Sequence, residues 1–598
     1  MTANPGVPAQ LPIDSSAKRG YNLFLLLVAG LGGLLYGIDV GIIGGALPYL
    51  EATSHLDASE LSAIVAAVLL GSVISTLFAG LLADWMGRKP LMILSGLAFA
   101  LSIPVIALSQ GYGNLLLGRL LQGMSAGLIG VVVPLYLAEC LAASSRGKGT
   151  GIFQWLLTLG IVAAALVGMY YSYRVAAVAR IGDAAALFAF KNQAWRSIFW
   201  VSLPPGLVFA IGCLFVSESP RWLFRRGRKE QAYAALLRSR TSEQAAIELE
   251  EMESTARAAT FTGSAVRDPL LRRKYVIPFL LTCVILACNT ATGINSVILY
   301  NTSILLQSGL SDLQAHWGYV LFTTVNFLMT IVGLSLVDRK GRKFLLITGT
   351  SGIIVSVVMV GVLFLGTEKL TVDCHNALQA AVGRDQTLNV HFDQAQAARL
   401  LASAGQGGDG SRSSLTIIYS YGDFAATTKP VRSDDPSQAA IQITRDACVP
   451  ANKVQGFFQN PFADLDSART APLKIRKALV GRVPDTKHGW LVALGIYVFV
   501  ACYAMGPGVC VWVALSELMP TRIRSNGMSI ALVLNQLVST TLAAIFLPFV
   551  SKHGYSSMFF LFAGFTAIYL MTAVFLLPET KGKTLEEIEA HFEGHQVS

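Results

Sequence analysis

Long apolar runs recur about a dozen times along the chain, and each is roughly 20 residues long, the length of helix that crosses a bilayer. Of the 598 residues, 53% are hydrophobic and only 14% are charged, whereas soluble proteins carry about a quarter charged residues. A soluble core cannot absorb so many runs of this length. The sequence therefore predicts an all-α membrane protein. The first run is too long for a signal-peptide core, so we expect it to be retained as a helix.

The apolar runs define twelve predicted spans, near residues 22–48, 60–82, 91–109, 114–137, 151–171, 197–216, 275–303, 316–337, 344–366, 489–513, 525–549 and 557–577. An even number of spans places both termini on one side. Basic clusters such as Arg88-Lys89 and Arg342-Lys343 fall in alternate short loops, and the positive-inside rule makes these loops and both termini cytoplasmic. The net charge of +10 thus reflects topology, and we expect no nucleic-acid partner.

Two long polar stretches divide the chain. The first, 217–274, separates six spans from six and is predicted to be a cytoplasmic linker with short helices. The second, 367–488, follows span nine and must lie outside the cell. It is rich in Gly, Ser and Asp, so composition leaves open an adhesive or regulatory domain, a lid, or a partly disordered loop. Cys374 and Cys448 both fall in this insertion, where a disulfide can form if the compartment is oxidising.

The predicted organisation follows from these boundaries. The segments are a cytoplasmic tail (1–21), an N-terminal six-helix bundle (22–216), the linker (217–274), spans seven to nine (275–366), the extracytoplasmic insertion (367–488), spans ten to twelve (489–577) and a cytoplasmic tail (578–598).

Three short polar patterns occur once in each half of the chain at matching places. The pairs are Asp84-x-x-Gly87-Arg88-Lys89 with Asp338-x-x-Gly341-Arg342-Lys343, Glu139 and Arg146 with Glu517 and Arg524, and Glu218-Ser-Pro-Arg221 with Pro578-Glu579-Thr-Lys581. Three patterns in register predict two pseudo-symmetric bundles of six helices. Parallel repeats of this kind are typical of transporters whose halves rock against each other.

Further motifs accompany the repeats: Gly33-Leu-Leu-Tyr-Gly-Ile-Asp39, Arg119-Leu-Leu-Gln-Gly123, Ser217-Glu-Ser-Pro-Arg-Trp222, Gly293-Ile-Asn295, Gly506-Pro-Gly508 with Trp512, and Pro578-Glu-Thr-Lys-Gly-Lys583. Together they resemble the sugar porter family of the major facilitator superfamily, over the whole chain except the insertion. The insertion is similar in placement to the external loop of animal proton/myo-inositol cotransporters. The resemblance implies the major facilitator fold and transport of a small sugar or polyol.

A sugar presents many hydroxyls, so its site favours Gln and Asn side chains, which both donate and accept, and a flat ring against the C–H face. The resemblance assigns sugar ligands in five spans: Gln154, Asn295, Asn326, Trp512 and Asn535. Each amide, taken singly, could instead bridge two helices.

Span seven departs from the family pattern. Where the family usually has two adjacent glutamines, this chain has Asn289 and Thr290, which we also expect to contact the substrate. Their shorter side chains leave more room or reach different hydroxyls, so the sugar cannot be inferred from the family. Leu299 stands where the family commonly has a tyrosine. Tyr300 is then the better candidate for an extracellular gate, the alternative being a packed interfacial ring.

Asp39 in the first span and Arg119 in the fourth are charges inside the membrane, which are usually functional or paired. A carboxylate whose neighbouring guanidinium moves closer or farther changes its proton affinity. The pair therefore predicts proton coupling, with a static ion pair as the alternative. In the resembling family, Asp at this position and the absence of Glu at Ala504 favour symport over uniport.

The repeated charges predict a cytoplasmic network that closes the inner face: Asp84, Arg88, Glu139, Arg146, Glu218, Arg221, Asp338, Arg342, Glu517 and Arg524. Positive-inside anchoring explains the arginines but not acidic residues at fixed offsets. Salt bridges formed in only one state would bias alternating access. Neutralising Arg88 or Arg342 is expected to shift the protein towards its inward-open state.

The preferred interpretation is a monomeric proton symporter for a hexose, a pentose or myo-inositol in a cell membrane, either plasma or bacterial inner membrane. The alternatives are a facilitative uniporter and a nutrient receptor, although the tail after Thr584 is short for signalling. No nucleophile with a base, no metal-ligand cluster and no phosphate-cradling loop occurs in the sequence where water could reach it. We therefore expect neither enzyme activity nor a cofactor or bound metal.

Overall fold

The computed structural model describes residues 16–54, 56–141, 143–261, 272–405, 412–434, 440–450, 453, 463–519 and 523–578. Within these ranges, eleven helical stretches are long and apolar enough to cross a membrane. The last of them, Ile530–Leu576, contains two spans, because Gly554 at φ +86° interrupts the helix. The predicted number of twelve spans is thereby confirmed.

The first six spans follow one another along the chain. They are α1 (Ser16–Thr53), α2 (Ala58–Met86), α3 (Arg88–Ala107), α4 (Tyr112–Cys140), α5 (Ala143–Ala179) and the broken pair α6 (Ala184–Trp200) and α7 (Leu203–Phe215). Local signals set several ends. Asp57 and Glu60 form a reciprocal capping box at the start of α2, and the Asp183 side chain caps α6.

Short helices and three further spans come next. They are α8 (Pro220–Arg225), α9 (Lys229–Leu237), α10 (Ser242–Phe261), the three pieces of span seven α11 (Arg273–Ala291), α12 (Ile294–Leu299) and α13 (Asn301–Gln307), then α14 (Asp312–Lys340) and α15 (Arg342–Glu368). Helix α8 begins with Pro220, whose missing N–H is tolerated in a first turn.

The insertion is built mainly of antiparallel strands. Its elements are β1 (Val372–Asp373), α16 (His375–Ala380), β2 (Leu388–Val390), α17 (Gln394–Ser403), β3 (Ser413–Tyr421), β4 (Phe424–Thr427), β5 (Val431–Arg432), β6 (Ile441–Ile443), α18 (Leu465–Ala468) and β7 (Leu473–Arg482). One sheet has the order β1–β7–β3–β4, with β5 also paired to β3, and β2 pairs with β6.

The described part of the insertion is a folded unit. Leu400, Tyr419, Tyr421 and Phe424 belong to a buried apolar core of its own. This part is therefore not a disordered loop. The sequence did not predict its fold, because the average composition of the insertion concealed the apolar positions along β3 and β7 that pack into one core.

Cys374 and Cys448 are both buried in the insertion, and neither forms a disulfide. The Cys374 thiol lies 3.2 Å from the Leu400 carbonyl oxygen, and the Cys448 thiol lies 3.3 Å from that of Phe424. The disulfide considered from the sequence is not formed, because each thiol donates to a different backbone carbonyl.

The chain then returns to the membrane through α19 (Thr486–Met505), α20 (Pro507–Leu518), α21 (Arg524–Met571) and a π-helical turn (Thr572–Leu576). Spans one to six form the N half and spans seven to twelve the C half. Helix α2 packs along α21, and α5 packs along α14, where the halves meet. We call the side of the bundle that carries the insertion the insertion face, and the other side the opposite face.

Candidate functional site

Span seven is broken twice, and the breaks position several polar side chains. Helix α11 ends at Ala291, and Gly293 adopts φ +90°, a left-handed conformation that favours glycine, before α12 begins. A second break separates α12 from α13 at Tyr300. Broken helices of this kind line binding cavities in transporters.

Side chains on both sides of the Gly293 break bond to span eleven. The Thr290 hydroxyl donates to the side-chain oxygen of Asn535, and the Asn295 amide donates to the Ser539 hydroxyl at 2.7 Å. Asn535 and Ser539 are four residues apart on α21, so they lie on one face of that helix. The structure thus brings together three of the predicted sugar ligands.

Ser539 was not predicted from the sequence, although its spacing from Asn535 is a usable signal. Tyr503 of α19 was also missed, and its hydroxyl accepts a 3.2 Å bond from the Asn289 amide. The Asn289 side-chain oxygen is buried and has no partner among the described residues. It therefore offers a free acceptor beside the bonded set.

Gln154 and Asn326 lie on α5 and α14, the two helices that pack together between the halves. Asn326 is buried and Gln154 is half-buried. The next residues in the chain, Trp155 and Phe327, have ring centroids 5.6 Å apart. Gln154 and Asn326 are therefore carried on the helix pair that joins the halves. The side chain of Trp512 lies outside the described part of the chain.

Asp39 and Arg119 are both fully buried, on α1 and α4. Neither carboxylate oxygen of Asp39 has a hydrogen-bond partner among the described residues. Arg119 donates to the Gln122 side chain at 2.6 Å, and its guanidinium lies over the Phe199 ring, 5.5 Å from the centroid. The two opposite charges thus share one buried region without a direct ion pair.

Tyr300 closes the insertion face from the C half. Its hydroxyl donates to the Ser62 hydroxyl of α2 at 3.1 Å or to the Ala543 carbonyl at 2.9 Å, and its ring stacks on Phe546 at 4.3 Å. The backbone N–H of Leu547 also donates to Ser62. Ser62 is therefore held by two segments of the other half.

A second polar contact joins the halves at the same face. Asp312, at the start of α14, accepts from the Tyr49 hydroxyl at 2.9 Å and the Ser172 hydroxyl at 2.5 Å. One turn later, the His316 ring lies 3.2 Å from the Gly45 carbonyl oxygen. The structure therefore describes a state that is closed at the insertion face.

The charged motifs of the N half converge on Arg88 at the opposite face. Its guanidinium forms ion pairs with Glu139 at 2.9 Å and with Asp84 at 3.0 Å. Glu218 accepts bonds from the backbone N–H groups of Arg88 and Lys89, at the start of α3. Burial raises the pKa of Glu218, and these backbone bonds oppose the rise.

These bonds hold the N half together, and none described for Arg88, Glu139 or Glu218 reaches the C half. Arg221 is exposed and pairs with no described acid. Arg342 donates to the Val337 carbonyl at 3.3 Å. The side chains of four other members predicted for the network lie outside the described part: Arg146, Asp338, Glu517 and Arg524. A role of the network in closing the inner face stays a prediction.

Comparison with known proteins also supports a membrane transporter of the family that the sequence motifs resemble. The family model described as "Sugar (and other) transporter" matches residues 25–380 and 476–592. The chain is 27% identical to the proton myo-inositol cotransporter of Homo sapiens over 597 residues, covering 97% of this chain and 84% of the relative. It is 25% identical to the glucose transporter GlcP of Staphylococcus epidermidis, covering 95% of this chain and 97% of the relative.

The fold also matches solved structures. An inward-open structure of the xylose transporter XylE from E. coli superposes with a TM-score of 0.63 and 20% identity, covering 96% of this chain and all of that one. The match confirms the predicted fold of two six-helix bundles.

Proposed function

Because the chain belongs to the sugar (and other) transporter family, we propose that it carries a monosaccharide or a cyclic polyol together with a proton by alternating access. Hexoses, pentoses and myo-inositol are the substrates to be tested. The names of two relatives, a proton myo-inositol cotransporter and a glucose transporter, support this range.

The main support for proton coupling is the buried Asp39 carboxyl group. A buried charge is costly unless it is paired, and Asp39 has no hydrogen-bond partner among the described residues. A proton on Asp39 removes that cost in the present state. Movement of Arg119 towards Asp39 would instead favour the ionised form, so proton uptake and release would follow the conformational cycle.

The substrate would bind between the breaks of span seven and the facing side chains of span eleven. Substrate hydroxyls can donate to the Asn289 oxygen, which has no partner among the described residues, and exchange bonds with Thr290, Asn295 and Asn535. Gln154, Asn326 and Trp512 would complete the site from the other spans, with the indole ring of Trp512 against the C–H face of the sugar.

We place the insertion face outside the cell and both termini in the cytoplasm, on the basis of the basic loops. Tyr300 would then act as an extracellular gate. The present state, which is closed at that face, would be the one that releases or awaits substrate on the cytoplasmic side.

The test is transport by the purified protein in proteoliposomes, with radiolabelled hexoses, pentoses and inositols, with and without an imposed proton gradient. We expect one substrate to accumulate only with the gradient, and its entry into uncoupled vesicles to make the outside medium more alkaline. Asp39→Asn should abolish accumulation but retain exchange of substrate across the membrane. Glu250→Gln, an exposed change on α10, is the matched control.

Each outcome separates the alternatives. Substrate entry without any change in external pH would identify a facilitative uniporter. Accumulation by Asp39→Asn at the normal level would show that another group carries the proton.

A further inference from the structure

The insertion contacts the N half through Lys429 and through strand β4, which packs against α2. Lys429 lies between β4 and β5, and its ammonium group donates to the backbone carbonyls of Glu51 and Ser54, the latter at 2.7 Å. These carbonyls belong to the end of α1, which stops at Thr53. A cation at a helix C-terminus satisfies unpaired carbonyls and interacts favourably with the helix dipole.

The Glu51 carboxylate is a junction of all three parts of the molecule. It lies on α1 of the N half, accepts a 3.3 Å bond from the Ser303 hydroxyl of α13 in the C half, and interacts electrostatically with Lys429 of the insertion. The lysine is thus anchored where the two halves already touch.

A polar contact with the C half lies three residues further along the chain, at Arg432. Arg432 donates to the Leu306 carbonyl at 2.8 Å, at the end of α13. Two bonds to the Asp434 carboxylate, at 2.8 and 2.7 Å, hold the Arg432 guanidinium in place. Arg412 adds a 3.1 Å bond to the Gly309 carbonyl.

The spacing between the two anchors is set by the sheet. The N–H of Thr428 donates to the Ile417 carbonyl, and the N–H of Ile417 donates to the Thr428 hydroxyl. Arg432 pairs with Ser414 in the same strand, β3. The segment 428–434, which we call the strap, is therefore held at both ends against β3 and cannot lengthen when its anchors move apart.

We propose that the strap is a conformational latch, which binds α1 of the N half through Lys429 and α13 of the C half through Arg432, and keeps the insertion face closed. Opening that face requires the halves to separate there, so at least one anchor must release. The proposal rests on the proposed transport cycle in one respect, namely that the two halves separate at the insertion face. It assigns the insertion a role in setting the populations of the two states.

The test measures how often the insertion face opens, without any substrate. Ser62→Cys provides the reporter, because Ser62 is fully buried and contacts the other half at this face. Every variant carries Ser62→Cys, so all of them equally lack the hydrogen bond between the Tyr300 and Ser62 hydroxyls. The measurement is the rate of labelling by a membrane-impermeant methanethiosulfonate applied at the insertion face. The same protein with Ser62 retained gives the background from native thiols.

Lys429→Met and Arg432→Met each remove charge-assisted bonds of the latch, while Lys474→Met is the control on the exposed face of β7. We expect either latch variant to raise the labelling rate about tenfold, since the loss of a hydrogen bond to a charged group shifts a conformational equilibrium by about that factor. Lys474→Met should label at the parent rate.

Unchanged labelling in both latch variants would overturn the proposal, as would an equal rise in Lys474→Met. Limited proteolysis checks that the insertion remains folded. If a latch variant unfolds the insertion, the latch is lost as well, so labelling must still rise; an unchanged rate there also refutes the latch. Because no substrate is used, failure here is distinct from failure of the transport assay.

Discussion

Removal of the Arg88 guanidinium tests whether the charged motifs stabilise the N half itself. Arg88 is only 2% exposed, and it pairs with Glu139, whose side chain is 7% exposed, and with Asp84, whose side chain is 67% exposed. Arg88→Met keeps the aliphatic volume of the side chain and deletes its charge. Glu139 would then remain as a buried carboxylate without its cation.

The two ion pairs contribute very different amounts to the free energy of unfolding. The exposed pair with Asp84 contributes less than about 1 kcal/mol, because water screens it. Breaking a buried pair by removing one partner costs about 3–5 kcal/mol, since the remaining charge is uncompensated. The Ser219 hydroxyl still donates to Glu139 at 2.5 Å and offsets part of this cost. We therefore expect a loss of about 3 kcal/mol for Arg88→Met.

A second substitution separates charge from packing. In Arg88→Met with Glu139→Gln, no buried charge is left alone, so about half of the lost stability should return. Asp84→Asn alone should cost less than about 1 kcal/mol.

The assay is the apparent melting temperature in detergent at a fixed heating rate, followed with a thiol-reactive dye. Cys140 and Cys213 are buried in the N half and react only as it unfolds. Arg88→Met should melt several degrees below the parent protein, and the double variant should melt between the two. If Arg88→Met melts with the parent, or the double variant melts no higher than Arg88→Met, the buried pair does not stabilise this half.

Three further predictions concern the site and the insertion. Ser539→Ala removes the acceptor of the Asn295 amide, so KM for the substrate should rise about fivefold, the effect of one neutral hydrogen bond of about 1 kcal/mol; an unchanged KM would remove Ser539 from the site. Because neither Cys374 nor Cys448 forms a disulfide, dithiothreitol should leave the melting temperature unchanged, and a drop would reveal a disulfide. Burial lowers the pKa of Lys429, so the docked strap releases the lysine proton more readily than the free strap. Docking should therefore strengthen as pH rises above neutrality towards the ordinary lysine value. The ratio of reporter labelling in Lys429→Met to that in the parent protein, measured at the same pH so that thiolate formation cancels, should then increase; a constant ratio would contradict this prediction.

The proposed transport site could be predicted from the sequence only in part. Asn295 and Asn535 were found because they lie in recognisable motifs and because amides suit hydroxyl ligands. Tyr503 was missed, since a tyrosine in an apolar span carries no distinctive local signal, and the one signal for Ser539 is its four-residue spacing from Asn535. Their importance becomes visible only when α11 and α12 are seen against α19 and α21.

The sequence by itself determined the twelve spans, the two repeated halves and the buried charges Asp39 and Arg119. These features can be recognised within a window of about 20 residues, because a bilayer demands one apolar helix length per crossing. Only the tertiary structure decided that the Asp39 carboxylate has no hydrogen-bond partner among the described residues, that the described part of the insertion is folded, and that Lys429 reaches the end of α1. Lys429 and Ser54 are 375 residues apart in the chain, so their contact depends on how separate segments pack and is recorded in no local pattern.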